Sequence, residues 1–132
     1  MMSNADVIRG VYAAFQKGDI PSVLGAMAPD IVWNEAENFP YADKNPYIGP
    51  DAVLGGVFAR LGGEWDGFSV KEEELIDAGD TIVTLGRYGG APKSTGKKIN
   101  AQFAHVWKFK NGKIVGFQQY TDTLQAARAM GG

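Results

Sequence analysis

The sequence predicts an α+β domain in which N-terminal helices pack against a strongly curved antiparallel β-sheet. Apolar residues recur at helical spacing through the first half of the chain, and from Phe68 onward they alternate with a period of two. The dipeptide Asn111-Gly112 joins two long strand-like segments and is among the strongest short signals for a hairpin turn. Helices followed by a meander of strands are typical of α+β domains rather than of alternating parallel ones.

Composition limits the function classes that are possible. A chain of 132 residues has the length of one ordinary domain, so we predict a single domain over residues 1–132. The net charge of −2 does not favour nucleic acid or an anionic membrane as a partner. The absence of cysteine excludes disulfides and thiolate nucleophiles, and a lone histidine without clustered ligands argues against zinc. We therefore expect a protein that uses no metal and no cofactor.

The chain contains no apolar run long enough to span a bilayer. Its first ten residues lack the basic region and the apolar stretch of a secretory signal. On these grounds we expect a cytoplasmic protein.

Three helices are predicted before the sheet. The first covers residues 4–17, with Asn4 as its N-cap and Gly18 as its end. The second, Ile20 to Met27, follows the capping residue Asp19. The third begins at Pro50 and stops at Gly62-Gly63, and its apolar stripe comprises Val53, Leu54, Val57, Phe58 and Leu61.

The remaining elements are strands and a short final helix. A first strand covers residues 31–35, and the loop of residues 36–50 carries three aromatic residues that either roof the core or form a lid over a pocket. The other predicted elements are a hairpin of residues 69–77 and 81–88, a second hairpin of residues 99–110 and 113–123, and a helix over residues 124–130.

The second hairpin allows a prediction of register. If Asn111-Gly112 is a two-residue turn, Phe109 pairs with Ile114, and counting outward pairs His105 with Gln118. One face of the sheet then carries Phe103, His105, Trp107, Phe109, Ile114, Gln118, Tyr120 and Asp122. The opposite face carries Gln102, Ala104, Val106, Lys108, Val115, Phe117, Gln119 and Thr121.

The first of these faces is aromatic but holds a histidine, a glutamine and a carboxylate. Because burying an unpaired polar group costs free energy, these groups need partners or a function. His105 and Asp122 are therefore candidates for a catalytic pair. The alternative is that His105 is a hydrogen-bonded core residue and that Asp122 caps the final helix.

Several of these segments resemble a known family. The Gly18-Asp19 helix end, the strand Asp30-Ile31-Val32-Trp33, the Gly49-Pro50 helix start and the tail FAHVWKFKNGKIVGFQQYTDT are similar to the nuclear-transport-factor-2-like (NTF2-like) superfamily. Within it, the chain resembles the SnoaL-like polyketide cyclase and ketosteroid isomerase-like branch. The resemblance implies a cone-shaped fold around an internal pocket and a homodimer.

The resemblance also implies roles for individual residues. Asp122 resembles the acid/base aspartate of SnoaL-type cyclases, and His105 resembles the histidine that accompanies it. Glu35 occupies a place similar to that of the aspartate base of ketosteroid isomerase. Where that isomerase has its oxyanion tyrosine, this chain has Val11, with Tyr12 one residue away, and this departure argues against steroid isomerisation as such.

Two functional hypotheses follow. In the first, a cofactor-independent acid/base enzyme acts on a small apolar cyclic or aromatic carbonyl compound by isomerisation, cyclisation or dehydration. Its predicted catalytic residues are Asp122, His105 and Glu35, and its predicted ligand contacts are Tyr12, Trp33, Phe58, Phe103, Trp107, Gln118 and Tyr120. In the second hypothesis, the pocket binds a small apolar molecule without catalysis, or the fold serves chiefly for dimerisation. For Glu35, a solvated position on the surface is the alternative to a catalytic one.

Overall fold

A computed structural model describes residues 2–131, so Met1 and Gly132, the two ends of the predicted domain, lie outside the described residues. Five α-helical segments and a six-stranded sheet make up the fold. The helices are α1 (Asn4–Gln16), α2 (Ile20–Gly25), α3 (Pro50–Val53), α4 (Ala59–Glu64) and α5 (Thr123–Ala129). The strands are β1 (Met27–Asn34), β2 (Tyr47–Ile48), β3 (Trp65–Asp77), β4 (Thr81–Pro92), β5 (Ile99–Lys110) and β6 (Lys113–Thr121).

Helix α1 is capped by Ser3 and not, as predicted, by Asn4. The Ser3 hydroxyl accepts a hydrogen bond of 3.1 Å from the backbone N–H of Asp6. Asn4 instead donates its side-chain amide to the carbonyl of Gly79, at 2.9 Å, and so ties α1 to the turn between β3 and β4. Helix α2 ends at Gly25, earlier than predicted, because Met27 already pairs with β6.

The third predicted helix is one continuous helical segment from Pro50 to Glu64. A π-helical turn, Leu54–Phe58, joins α3 to α4. The predicted stop at Gly62-Gly63 is wrong, since both glycines lie within α4. Inside the π-helical turn, a Cβ at Gly56 would lie 2.1 Å from the ring of Tyr47, so only glycine lets this turn pack on that ring.

The sheet is mixed and not wholly antiparallel as predicted. Its strand order is β2-β1-β6-β5-β4-β3. Strand β1 runs parallel to β6, whereas the other neighbouring strands are antiparallel. Strand β1 occupies the edge of β6 that lies opposite β5. The sheet is also not strongly curled, which corrects the predicted strong curvature.

The predicted register of the last hairpin holds only next to its turn. Phe109 pairs with Ile114 as predicted, but Lys108 pairs with Gly116, so Val115 is an extra residue that forms a β-bulge. Beyond the bulge, His105 pairs with Gln119 and not with Gln118. Because side chains alternate along a strand, this single insertion reverses the facing of every later side chain of β6.

The interior between sheet and helices is rich in aromatic residues. The segment after β1 contributes Phe39, Tyr41 and, from β2, Tyr47, and all three are buried in the hydrophobic core. On the sheet, the indole of Trp33 stacks on the ring of Phe117, with centroids 3.7 Å apart. Within residues 2–131, no helix is long and apolar enough to cross a membrane.

The bulge gives a direct prediction about stability. Replacing the inward Phe117 by alanine should lower the free energy of unfolding by about 3–5 kcal/mol, because a buried aromatic contact is lost. Replacing Tyr120, whose side chain is exposed, should change it by less than about 0.5 kcal/mol. Urea denaturation of Phe117→Ala and Tyr120→Ala measures both changes in the free energy of unfolding. A larger decrease for Tyr120→Ala would contradict the bulge and support the register that the sequence predicted.

Candidate active site

A cavity of about 50 Å³ lies between the inner face of the sheet and the helices. By volume it holds a few water molecules. Its walls are aliphatic and aromatic, and besides the tyrosines and tryptophans they contain the polar side chains of Glu35, His105 and Gln119. The full lining comprises Val11, Tyr12, Phe15, Val23, Trp33, Glu35, Phe39, Val57, Phe58, Leu61, Phe68, Val70, Tyr88, His105, Trp107, Phe117 and Gln119.

Glu35 is held at this cavity by the chain around it. It directly follows β1, two residues after Trp33, so the two side chains point to the same side. The indole N–H of Trp33 donates a 3.0 Å hydrogen bond to Glu35 Oε2. The side chain of Asn45 accepts from the backbone N–H of Glu35 at 3.0 Å and donates to its carbonyl at 2.8 Å, which fixes the backbone on both sides.

The environment of Glu35 favours the protonated carboxyl group. The residue is only 3% exposed, and burial raises its pKa from the ordinary 4.5 to about 7. The hydrogen bond from Trp33 and the positive charge of Arg60 oppose this rise in pKa without cancelling it. The second carboxylate oxygen, Oε1, has no hydrogen-bond partner among residues 2–131. Glu35 can therefore exchange a proton with a ligand in the cavity near neutral pH.

His105 forms the centre of a buried polar chain. Its Nδ1 lies 2.5 Å from the Tyr12 hydroxyl, and its Nε2 is hydrogen-bonded to the hydroxyl of Tyr88. Tyr12 continues the chain to the hydroxyl of Thr84, also at 2.5 Å. The indole N–H of Trp107 donates to both Thr84, at 3.2 Å, and Tyr12, at 3.3 Å. Every polar atom of this chain is thus paired within an aromatic interior.

Burial keeps this chain uncharged. Within residues 2–131, His105 forms its hydrogen bonds with tyrosine hydroxyls and with no carboxylate, and burial lowers its pKa from 6.5 to about 3. Burial likewise raises the pKa of the hydroxyls of Tyr12 and Tyr88 well above the usual value of 10.0. At neutral pH, His105 is a neutral imidazole that hydrogen-bonds and carries no charge.

Gln119 connects this chain to Glu35. Its carbonyl oxygen accepts from the backbone N–H of Ala36, at 3.0 Å, and its amide donates to the Tyr88 hydroxyl, also at 3.0 Å. Because the residue that follows Glu35 fixes the carbonyl end of Gln119, the NH₂ end must face Tyr88. Gln119 therefore fixes the Tyr88 hydroxyl relative to the backbone next to Glu35.

A groove on the protein surface lies next to the cavity. Phe15, Phe58, Leu61 and Phe68 line both spaces. They come from α1, from the helical segment of residues 50–64 and from β3, and the three phenylalanines are only partly buried. These four side chains are the part of the wall that the cavity shares with the groove.

The structure brings some of the predicted site residues together and separates others. The cavity lining includes Tyr12, Trp33, Glu35, Phe58, His105 and Trp107. Phe103 is buried on the same face but lies behind the lining, where it stacks on His105 with centroids 4.0 Å apart. The surface position considered for Glu35 is wrong, since the residue is buried.

The three predicted residues that follow the bulge are not at the cavity. The Tyr120 side chain is 56% exposed, and the amide of Gln118 donates to the neighbouring carbonyl of Gln119. Asp122 is exposed and caps α5, where its carboxylate accepts from the backbone N–H of Gln125 at 3.1 Å. The predicted proximity of Asp122 to His105 is therefore wrong, and the extra residue at Val115 is the physical reason.

Among the residues of the cavity and its polar chain that sequence reasoning missed are Phe117, Gln119, Tyr88 and Thr84. Phe117 and Gln119 were assigned to the opposite face because the bulge was not foreseen. Tyr88 and Thr84 lie on β4, whose strand was predicted without a register relative to β5. The alternation within β4 was the available signal, since these two residues share one face with Ile82.

Comparison with known proteins places the fold. Residues 8–117 match the sequence profile of the SnoaL-like domain. An NTF2-like protein from Burkholderia thailandensis is 42% identical, with all of both chains covered and a TM-score of 0.95. An NTF2-like protein of unknown function from Burkholderia pseudomallei is 30% identical over all of both chains, with a TM-score of 0.89.

More distant structures share the fold alone. TerC, co-crystallised with polyporic acid, is 24% identical over 98% of both chains, with a TM-score of 0.86. IdmH from Streptomyces antibioticus, proposed to be a polyketide cyclase, is 19% identical over 99% of this chain and 100% of its own, with a TM-score of 0.80. No curated protein matched the sequence.

The electrostatics of His105 can be tested by titration. Because burial disfavours the imidazolium, we expect no protonation of His105 between about pH 5 and pH 8, where an exposed histidine titrates. NMR of the single histidine measures this, and Asp122→Asn should leave its signals unchanged. A midpoint near pH 6.5 that moves in Asp122→Asn would contradict the geometry described above.

The raised pKa of Glu35 predicts a pH-dependent cost in stability. Unfolded Glu35 releases its proton near pH 4.5 and folded Glu35 near pH 7, so between these values the folded state holds more protons. The free energy of unfolding of the parent protein therefore decreases as the pH rises through this range. Glu35→Gln should be about as stable as the parent at pH 4 and more stable by about 3 kcal/mol at pH 8. Urea denaturation at both pH values measures the difference, and a constant difference would refute the raised pKa.

Proposed function

The chain belongs to the SnoaL-like domain family, and we propose that it is a cofactor-independent acid/base enzyme with Glu35 as its proton-transferring group. Its substrate in this proposal is a small apolar cyclic or aromatic carbonyl compound. The observation that carries the proposal is a buried carboxyl group with one free oxygen at an apolar cavity that also contains a chain of neutral hydrogen-bond donors.

These groups suit proton transfer at a carbon next to a carbonyl. The Glu35 carboxylate takes the proton through Oε1, and the electron pair of the C–H bond forms the C=C bond of an enolate. The negative charge moves to the carbonyl oxygen, which needs a hydrogen-bond donor in a site with little water. Protonated Glu35 can then return the proton to carbon, or the enolate can react further.

Burial supports Glu35 over Asp122 as the base. A carboxyl group whose pKa is about 7 gains and loses a proton with nearly equal ease at neutral pH, which suits a group that must do both. Asp122 is exposed, and its carboxylate is already used by the cap of α5. We therefore assign no acid/base role to Asp122.

The lining supports a flat, apolar ligand. Trp33, Phe58, Trp107 and Phe117 offer aromatic faces on which a ring can stack. TerC, which was co-crystallised with polyporic acid, and IdmH, proposed to be a polyketide cyclase, share the fold with this chain at low identity. The choice between isomerisation, cyclisation and dehydration depends on the substrate.

The size of the cavity favours a second candidate function. With about 50 Å³ of free space, the site is largely filled by its own side chains. A protein of this fold that binds a small apolar molecule without transforming it needs the cavity but not the free oxygen of Glu35. A test of proton transfer at carbon distinguishes the two functions.

The proposed function predicts that the protein exchanges the α-hydrogens of simple cyclic ketones. In D₂O, 1-indanone, 2-tetralone and cyclohexanone should lose their α-hydrogens faster with the protein than with buffer, as followed by proton NMR. Glu35→Gln should lower this exchange rate by about 100-fold or more, because the amide cannot accept the proton. The rate should rise with pH around a midpoint of about 7, since Glu35 must be ionised to act as the base.

The control is a matched substitution on the surface. Glu37→Gln makes the same chemical change two residues away, at an exposed position, and should leave the rate unchanged. If Asp122→Asn abolishes exchange and Glu35→Gln does not, the assignment of the base is wrong. If ketones bind without any exchange above buffer, the protein is a binding module.

A further inference from the structure

We infer that the hydroxyl of Tyr88 is the group that donates a hydrogen bond to a ligand oxygen in the cavity, and that the polar chain behind it fixes this direction. The inference rests on the proposed function, since it names the donor for the carbonyl or enolate oxygen. It follows from counting the hydrogens that the chain contains and the bonds that use them.

The chain has one more hydrogen than it has links. Thr84, Tyr12, neutral His105 and Tyr88 each carry one hydrogen that can be donated. Three links join them: Thr84 to Tyr12, Tyr12 to His105 Nδ1, and His105 Nε2 to Tyr88. Each link uses one hydrogen, so one of the four remains to be donated elsewhere. His105 cannot hold it, because each of its ring nitrogens already takes part in a link.

Thr84 is a poor place for the remaining hydrogen. If the chain ran from Tyr88 through His105 and Tyr12 to Thr84, the threonine hydroxyl would need an acceptor of its own. Among residues 2–131, the Thr84 hydroxyl oxygen is hydrogen-bonded only to the Tyr12 hydroxyl and to the indole N–H of Trp107, which is a donor. The side chain is also fully buried and does not line the cavity. This direction would leave a buried donor unsatisfied, which costs free energy.

Tyr12 cannot hold the remaining hydrogen either. Its oxygen would then accept from Thr84, from His105 Nδ1 and from Trp107 at once, while it also donated. A phenol oxygen has two acceptor positions, so this arrangement has one donor too many. With Tyr12 donating to His105, the same oxygen accepts only from Thr84 and Trp107.

Tyr88 is left as the holder of the free hydrogen. In this arrangement its oxygen accepts from His105 Nε2 and from Gln119, whose orientation is fixed by the backbone N–H of Ala36. Both acceptor positions are used, and its own hydrogen has no partner within residues 2–131. Because Tyr88 lines the cavity, a ligand oxygen is the acceptor that completes the network. In this arrangement each group donates to the next, from Thr84 through Tyr12 and His105 to Tyr88, so neutral His105 carries its hydrogen on Nε2.

The tautomer of His105 tests the direction of the chain without any ligand. A long-range ¹H–¹⁵N NMR spectrum of the wild-type protein distinguishes a hydrogen on Nε2 from one on Nδ1. We expect the hydrogen on Nε2. A hydrogen on Nδ1 would mean that Tyr88 donates to His105, and it would overturn the inference whether or not the protein proves to be an enzyme.

A pair of probes tests the donor itself. Acetophenone and α-methylstyrene have nearly the same shape, but only acetophenone has an oxygen that can accept a hydrogen bond. Wild type should prefer acetophenone, and Tyr88→Phe should lower its affinity for acetophenone by about 5-fold while its affinity for α-methylstyrene changes little. Tyr120→Phe, the same change on the exposed face, is the matched control and should keep the preference.

Binding is followed by NMR chemical-shift titration, which also shows whether each variant is folded. If Tyr88→Phe keeps the preference for acetophenone, Tyr88 is not the donor, and the proposed role of Glu35 is unaffected. If wild type binds neither probe, the cavity does not admit aromatic carbonyl compounds, and the donor assignment fails together with the proposed substrate class. Loss of the preference in Tyr88→Phe alone supports the assignment.

Discussion

The extra residue at Val115 decides which side chains of β6 face the interior. It turns Phe117 and Gln119 inward and leaves Tyr120 on the outer face. Gln119 then holds the backbone after Glu35 with one end and the Tyr88 hydroxyl with the other. Without the bulge, the carboxyl group and the hydroxyl chain would have no common support.

One physical cause gives the two ionisable groups of the cavity their properties. Burial disfavours charge, so it raises the pKa of Glu35 to about 7 and lowers that of His105 to about 3. The result is a site that is uncharged over most of its surface and holds one carboxyl group able to gain or lose a proton near neutral pH. A histidine in such a place acts through hydrogen bonds and not as a base.

The chemistry that this interior supports is narrow. In the proposed function, the aromatic walls bind a flat apolar molecule, and the Tyr88 hydroxyl donates a hydrogen bond to one oxygen atom of that molecule. The partly buried phenylalanines Phe15, Phe58 and Phe68 line both the cavity and the neighbouring groove.

From the amino-acid sequence alone, the α+β class, the family resemblance and the span of β5 could be predicted, and Glu35 and His105 could be named as candidates, both of which line the cavity. Periodicity and the Asn111-Gly112 turn are local signals, so they can be read from neighbouring residues. The packed structure was needed to show that β1 runs parallel to β6, to choose the helix cap over the catalytic pair for Asp122, and to bring Gln119 and Tyr88 to the cavity. A bulge has no clear sequence signal, because it depends on how two strands and the core pack together, and one inserted residue reverses the facing of all that follow.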